Sequence, residues 1–477
     1  MLFNSIDFAI FLPVVFLLYW FVFRGRRWQN LFVVIASYLF YGWWDWRFLL
    51  LIVFTSFCSY MSGLWIERLA DPSKRRWVSA ANIVVNLLIL CVFKYYNFFT
   101  GNLASLFSIA GYELDWATLN IILPVGISFY TFQALSYSID VYRRKISATH
   151  DPVEFFAYIS FFPQLVAGPI ERATNLLPQF QRSRTFDYTR AVDGCRQMLW
   201  GFFKKMVIAD NCALIVNQYW DGFAGQTGFH LLLVAVLFTF QIYCDFSGYS
   251  DIAIGCARLF GFDLKRNFNY PYFSRDIAEF WRRWHISLMT WFRDYVYFPL
   301  GGSRCSRAKA MRNTLVVFFI SGLWHGANWT FVVWGLYNAV LIILGNLLRL
   351  NTKYKDVTAR GRLLPTLKEY LKMTATFFLA VIGWVIFRSE SLGQAIGFLQ
   401  HLFSPSIVNV GGLDCLGTLL LCLLMLGVEW LQRDKEHALD LSKVKHAWVR
   451  YFFYTLVFYA IYCLMPNQMS EFIYFQF

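Results

Sequence analysis

Apolar runs of nearly twenty residues, each bounded by charged residues, recur from the start of this 477-residue chain. A helix needs about 20 mostly apolar residues to cross the hydrocarbon core of a bilayer, since each residue adds about 1.5 Å. The first such runs are 8–23, 28–44, 48–66, 77–93 and 116–139. Only 15% of the residues are charged, too few to cover several soluble domains. The sequence therefore predicts an all-α polytopic membrane protein, with 1–477 as a single integral membrane domain.

Positive charge alternates between the loops. The loops after the first, third and fifth runs are basic, with Arg24, Arg26, Arg27, Arg68, Lys74, Arg75, Arg76, Arg143, Arg144 and Lys145. The positive-inside rule assigns these loops to the cytoplasm. The 429–450 loop is also basic, so both termini are predicted to lie outside. The net charge of +14 then reflects cytoplasmic loops beside anionic headgroups rather than nucleic-acid binding.

Two later stretches are predicted to contain broken helices. Residues 155–170 carry no charge but contain Pro163, Gly168 and Pro169, which weaken or interrupt a helix. Residues 313–348 would reach roughly 54 Å as one helix, too short for two complete spans of about 30 Å. Because the loops on both sides of 313–348 are basic, this stretch must be shortened, broken or tilted. Such broken helices are typical of elements that line a cavity.

Two histidines are the strongest candidates for chemistry. His325 lies about 12 residues past the last arginine of its segment, roughly 18 Å along a helix, and Gly322 and Gly326 flank it. Imidazole can take a proton from a hydroxyl near neutral pH, and ionisable groups deep in membranes usually serve a function. The alternative for His325 is a packing histidine. For His285, which follows Arg282 and Arg283, the alternative is an amphipathic segment lying at the headgroups.

Asp245 and Asp251 directly follow an apolar run. They could orient a histidine, pair with an arginine, or cap a helix at a break. No HExxH, Walker A, GxGxxG or GxSxG motif occurs. A metal site, a nucleotide fold and a serine hydrolase therefore have no local support, and no tightly bound cofactor is predicted.

Seven short motifs occur in a characteristic order. They lie at 123–130, 162–169, 245–251, 267–272, 279–287, 300–302 and 322–328. Together they resemble the membrane-bound O-acyltransferase superfamily, specifically the bacterial branch typified by the membrane subunit of alginate O-acetylation. The likeness covers most of the chain and is weakest over the last hundred residues.

The resemblance implies a multi-helix bundle with re-entrant or broken helices around a transmembrane funnel. It also implies that His325 is the central catalytic residue and His285 a second functional position. Members of this branch move an acetyl group towards a hydroxyl acceptor, working with periplasmic or extracellular partners that acylate a polysaccharide. Related proteins acetylate peptidoglycan or transfer D-alanine to teichoic acid.

Together these observations predict an enzyme of the bacterial inner membrane that uses a cytoplasmic acyl thioester. Acetyl-CoA is the expected donor, docking on the arginine-rich face at 275–312, with Arg282 and Arg283 as contacts for its phosphates. The expected acceptor is an exported polysaccharide such as alginate. The alternative from another class is a transporter or flippase with a proton-coupling histidine, which the missing internal repeat disfavours.

Overall fold

The computed structural model describes residues 1–113, 122–352, 354, 356–411, 414–468 and 470–475, and this part of the chain contains helices but no β-strand. Among the described residues, six helices are long and apolar enough to cross a membrane. They are Trp46–Arg68, Pro72–Ile109, Gly228–Leu259, Trp329–Leu347, Leu367–Arg388 and Ala447–Leu464. The prediction of an all-α polytopic membrane protein is confirmed.

The chain divides into two compact units, of which the first comprises 1–191 and 257–264. Its helices are α1 (Ile6–Leu17), α2 (Arg26–Gly42), α3 (Leu49–Arg68), α4 (Pro72–Leu90), α5 (Tyr96–Ile109), α6 (Ile127–Tyr142), α7 (Pro152–Ser160), α8 (Phe162–Leu165) and α9 (Ala173–Phe180). A π-helical segment at Cys91–Tyr95 joins α4 to α5. Asp71 begins α4 by accepting the backbone N–H of Ser73, and Pro72 suits the first helical position, where no donor is needed.

Helix α3 shows how this unit is suited to lipid. Its buried face carries small and hydroxyl residues, including Ser59 and Gly63, and the hydroxyls of Ser62 and Ser138 lie 3.1 Å apart. Large apolar side chains such as Phe54 and Trp65 are instead exposed. Small residues inside and large apolar residues outside are typical of helices packed in a bilayer, where lipid solvates the apolar face.

The apolar runs map onto these helices with one exception. Runs 8–23, 28–44, 48–66 and 77–93 each overlap a helix closely. In the fifth run, 116–121 lies outside the described residues, and helix α6 begins only at Ile127. Gly126 precedes it with a φ of 75°, a left-handed conformation that a helix cannot continue.

The break predicted within 155–170 is confirmed. Helix α7 ends at Ser160, and Phe161 leaves the helical region with a ψ of 105°. Helix α8 then makes a single turn, Phe162–Leu165, before a non-helical stretch over 166–172. Pro163 occupies the start of α8, where its missing N–H costs nothing, and cannot extend α7.

The second unit comprises 192–256 and 265–477. The helices from α10 onwards are α10 (Tyr188–Phe202), α11 (Asp210–Trp220), α12 (Gly228–Leu259), α13 (Ile277–Arg283), α14 (Ile286–Phe292), α15 (Arg307–His325), α16 (Trp329–Leu347), α17 (Leu367–Arg388), α18 (Leu392–Leu402), α19 (Leu416–Leu431) and α20 (Ala447–Leu464). A π-helical segment at Phe203–Ala209 joins α10 to α11.

Of the alternatives predicted for 313–348, namely a shortened, broken or tilted stretch, the structure shows a break. Helix α15 ends at His325, Gly326 is extended, and Asn328 starts α16 by accepting the N–H of Thr330. Helices α15 and α16 approach so closely that a Cβ at Gly322 would lie 2.3 Å from the carbonyl oxygen of Phe331. The space at Gly322 is therefore filled by a neighbouring backbone.

Helix α12 runs without a break from Gly228 to Leu259. The interpretation of Asp245 and Asp251 as caps at a helix break is therefore wrong, since both lie inside the helix. Their carboxylates must be accommodated by partners from elsewhere in the fold.

Candidate functional site

His325 is the last residue of α15, and the end of that helix holds it inside the second unit. Its side chain is buried, with 4% exposed. The imidazole is surrounded by aromatic rings, with centroids 4.9 Å away for Trp324, 5.0 Å for Trp334, 5.4 Å for Phe387 and 5.7 Å for Tyr474. The end of a broken helix thus presents a titratable group among apolar walls.

His285 lies in a tight turn between α13 and α14. Its φ of 44° is in the left-handed region, which is uncommon for a residue other than glycine and is often found at functional sites. Two main-chain hydrogen bonds hold the turn. The backbone N–H of Ile286 donates to the backbone carbonyl of Asn267 at 2.9 Å, and the backbone N–H of Asn269 donates to the backbone carbonyl of Arg283 at 2.9 Å. The turn buries the imidazole to 1% exposure.

The two histidines share two aromatic neighbours. Trp324 lies 5.9 Å from the His285 ring centroid and also contacts His325. Tyr474 lies 6.4 Å from His285 and likewise contacts His325. We call His285, His325, Trp324 and Tyr474 the histidine site. The structure thus brings together the two histidines that the sequence singled out, although 40 residues separate them.

One side of the His285 ring is fixed by a buried amide. Its Nδ1 lies 3.1 Å from Oδ1 of Asn267, and its Nε2 has no hydrogen-bond partner among the described residues. The turn lies outside the candidate spans, and burial lowers the pKa of His285 to about 3. The imidazole is therefore neutral at physiological pH, and only one of its nitrogens carries a proton.

Among the described residues, Asp245 and Asp251 contact neither a histidine nor an arginine, contrary to both functional expectations. They pair with two adjacent lysines. Lys204 Nζ lies 2.7 Å from Asp251, and Lys205 Nζ lies 2.8 Å from both Asp245 and Asp210. We call this the lysine–carboxylate cluster, comprising Lys204, Lys205, Asp210, Asp245, Asp251 and Glu429.

All members of the cluster except the partly exposed Asp251 are buried, and they have further partners. Lys204 also donates to Ser247 at 2.9 Å and lies 3.9 Å from Glu429. Glu429 in turn accepts the hydroxyl of Tyr243 at 2.9 Å. A buried charge is tolerated only when it is paired and hydrogen-bonded in this way. The motif at 245–251 thus supplies two carboxylates to a network of ion pairs with Lys204 and Lys205.

The same cluster holds the C-terminal segment in place. The backbone N–H of Ile473 donates to Asp245 at 2.7 Å, and Lys205 donates to the carbonyl of Ser470 at 3.1 Å. The hydroxyl of Ser470 donates to Asp210. These bonds position Tyr474, whose ring also lies 4.4 Å from Phe246. Tyr474 is not among the residues predicted from the sequence, where it lies in a short aromatic-rich stretch after the last apolar run.

Arg282 and Arg283, the predicted donor contacts, have different environments. Arg283 is buried and lies 2.8 Å from Glu279, which also binds Arg275 at 3.0 Å. Burial would raise the pKa of Glu279, but these two guanidinium groups outweigh it and lower the pKa. Arg282 is exposed and donates to the carbonyl of Thr352 at 3.1 Å. Of these two arginines, Arg282 is therefore the accessible cation.

A narrow cleft of about 10 Å³, room for roughly one water molecule, borders Asn267, the residue whose amide contacts His285. Its walls include Lys204 and Glu429 of the cluster together with Arg266, Asn267 and Tyr270. Arg266 donates to the carbonyl of Lys435 and stacks on Tyr270. Within the described part of the chain, no three His, Cys, Asp or Glu side chains are grouped as metal ligands.

Comparisons with known proteins identify a family model and several relatives. A model of the MBOAT, membrane-bound O-acyltransferase family matches residues 142–381. A probable alginate O-acetylase of Pseudomonas aeruginosa is 39% identical over 458 residues, covering 94% of this chain and 85% of that protein. A peptidoglycan O-acetyltransferase of Helicobacter pylori is 32% identical, covering 86% of this chain and 81% of that protein. A teichoic acid D-alanyltransferase of Bacillus subtilis is 29% identical, covering 57% of this chain and 70% of that protein.

Proposed function

Because the chain belongs to the membrane-bound O-acyltransferase family, and is therefore an O-acyltransferase, we propose that it acetylates an exported polysaccharide. The observation that carries this proposal is the convergence of His325 and His285 on the shared rings of Trp324 and Tyr474. Apolar walls exclude water, which protects a thioester from hydrolysis and strengthens electrostatic interactions.

The proposed chemistry is a single acyl transfer. His325 takes the proton of the acceptor hydroxyl as its oxygen attacks the thioester carbonyl. The new C–O bond forms, the C–S bond breaks, and the proton passes to the leaving thiolate. Alternatively, His325 assists relay of the acyl group towards the outside. His285 is the second functional histidine of this reaction.

The proposed donor is acetyl-CoA, reaching the site from the cytoplasm along the arginine-rich face at 275–312. Arg282 supports this because it is exposed and unpaired with any carboxylate in the described chain. Arg283 supports donor binding less, since it already forms an ion pair with Glu279. The narrow cleft lined by Arg266 and Asn267 adds polar surface beside the residue that contacts His285.

Acetyl transfer to an alginate-like polysaccharide is favoured over D-alanyl transfer. The alginate O-acetylase relative matches 94% of this chain, whereas the D-alanyltransferase matches 57%. Peptidoglycan remains the alternative acceptor, since that relative also matches most of the chain. A periplasmic or extracellular acetyltransferase is proposed to complete the transfer.

The proposed location is the bacterial inner membrane, with both termini outside and residues 68–76 and 429–450 in the cytoplasm. The alternation of basic loops supports this orientation. Single cysteines introduced at residues 72 and 440 of a chain lacking its native cysteines should react with an impermeant maleimide only after the cells are opened. Labelling of residue 72 in intact spheroplasts would contradict the orientation.

The function is tested with purified protein in liposomes and radiolabelled acetyl-CoA. We expect thiol release that depends on the protein and rises when an oligosaccharide acceptor is added. A transporter or flippase would release no thiol. Polysaccharide from a deletion strain should lack acetyl groups, and expression of the protein should restore them. An unacetylated polymer despite restored protein would contradict the proposed acceptor.

A further inference from the structure

The amide of Asn267 can adopt only one orientation. Its Oδ1 faces the backbone N–H of Ser287 at 3.3 Å and the hydroxyl of Ser287 at 2.9 Å. A backbone N–H can only donate, so the amide atom facing it must be the oxygen. The amide nitrogen then donates to the hydroxyl of Ser250 at 3.2 Å. With 0% of Asn267 exposed, no solvent competes for either atom.

The orientation of this amide decides where His285 carries its proton. The same Oδ1 lies 3.1 Å from Nδ1 of His285, and an amide oxygen can only accept. Nδ1 must therefore hold the proton and donate it. In a neutral imidazole the other nitrogen, Nε2, then has a free lone pair. That nitrogen has no hydrogen-bond partner among the described residues.

We propose that Asn267 is a positioning residue that fixes His285 in its Nδ1–H tautomer, so that His285 meets the substrate through Nε2 as an acceptor. This inference rests on the proposed function and defines the role of the second histidine. His285 accepts a proton or hydrogen bond from a protic substrate group. The reaction contains two such groups, the hydroxyl of the acyl acceptor and the thiol of the spent donor.

The tautomer can be measured without any activity assay. Protein labelled with ¹⁵N-histidine, compared with His285→Gln to assign the resonances, reports which nitrogen is protonated. We expect Nδ1 protonated and Nε2 unprotonated in the wild-type protein, with the preference reduced in Asn267→Leu. A wild-type His285 protonated at Nε2 would overturn the proposal.

Kinetics test whether the tautomer matters to catalysis. Asn267→Leu should lower kcat by about 10²-fold, within the usual range for proton-transfer groups. Asn267→Asp keeps an acceptor oxygen and should retain at least about tenfold more activity than the leucine variant. The matched control is Asn313→Leu, since Asn313 is also fully buried but lies about 18 Å along α15 from His325. Equal losses in Asn267→Leu and Asn313→Leu per folded molecule, or equal losses in the Asp and Leu variants, would overturn a positioning role.

A comparison of two inhibitors identifies the protic group. Wild-type protein that binds CoA more tightly than desulfo-CoA, with the preference lost in Asn267→Leu, assigns Nε2 to the thiol. An unchanged preference together with reduced kcat assigns it to the hydroxyl. If the protein transfers no acetyl group at all, the proposed function fails, whereas the tautomer measurement still decides the role of Asn267.

Discussion

The second unit contains two buried polar regions that are built in opposite ways. In the lysine–carboxylate cluster, both lysines contact carboxylates within 2.8 Å, and the carboxylates accept further hydrogen bonds. In the histidine site, aromatic rings surround the imidazoles, and the Nε2 of His285 has no hydrogen-bond partner among the described residues. Both regions are buried apart from Asp251 and Tyr474, which are partly exposed.

This difference indicates that the cluster contributes mainly to stability and the histidine site mainly to reactivity. Burying a charge is costly, so the cluster gives each ion at least one partner and thereby links helices to the C-terminal segment. A neutral imidazole costs less to bury, and a nitrogen left without a partner is free to bind substrate. Changes in the cluster should therefore affect mainly folding, whereas changes in the histidine site should affect mainly the reaction.

The largest expected effect is on catalysis. His325→Ala should lower acyl transfer by about 10²–10⁴-fold, the usual contribution of a general base, while expression and membrane insertion stay nearly intact. The measurement is acetylation of the exported polymer in a deletion strain at matched protein levels. His401→Ala is the control, because His401 contacts the carbonyl of Gly397 in its own helix.

If His325→Ala complements as well as the wild type, the catalytic assignment is wrong and His325 is a packing residue. If the protein disappears, His325 is structural, and the less disruptive His325→Gln variant then separates folding from chemistry. His285→Ala should also reduce transfer, with part of the loss in KM.

In the lysine–carboxylate cluster the expected effect is on stability. Lys205→Met leaves Asp210 and Asp245 without their cation and should lower the free energy of unfolding by about 3–5 kcal/mol. Thermal unfolding in detergent measures the loss. Replacing both aspartates by asparagine in the same chain should recover most of it, because neutral groups need no counter-ion. A Lys205→Met protein as stable as the wild type would show that the cluster does not hold the fold together.

The smallest expected effects separate two adjacent arginines. Arg283→Gln removes charged hydrogen bonds to Glu279 and should cost about 1.5–3 kcal/mol of stability. Arg282→Gln should change stability by less than about 0.5 kcal/mol, because the side chain is exposed, but should raise the KM for acetyl-CoA several-fold. An unchanged KM in Arg282→Gln would remove this residue from the donor site.

Much of the local architecture could be predicted from the sequence. Apolar runs located the helices because the thickness of a bilayer sets their length. Pro163 marked one break, because proline cannot extend a helix. The length of 313–348 indicated another irregularity, because the rise of a helix per residue is fixed. His285 and His325 also stood out locally, as titratable groups in surroundings that disfavour charge.

What only the tertiary structure decided depends on contacts between residues far apart in the chain. Asp245 could have capped a helix or met an arginine, but the fold places Lys205 beside it, 40 residues away, and Ile473 beside it, 228 residues away. Tyr474 and Asn267 gain their importance only because packing brings them to the histidines. Apolar runs specify where the helices form, but the partner across each helix face is chosen by the packing of the whole unit.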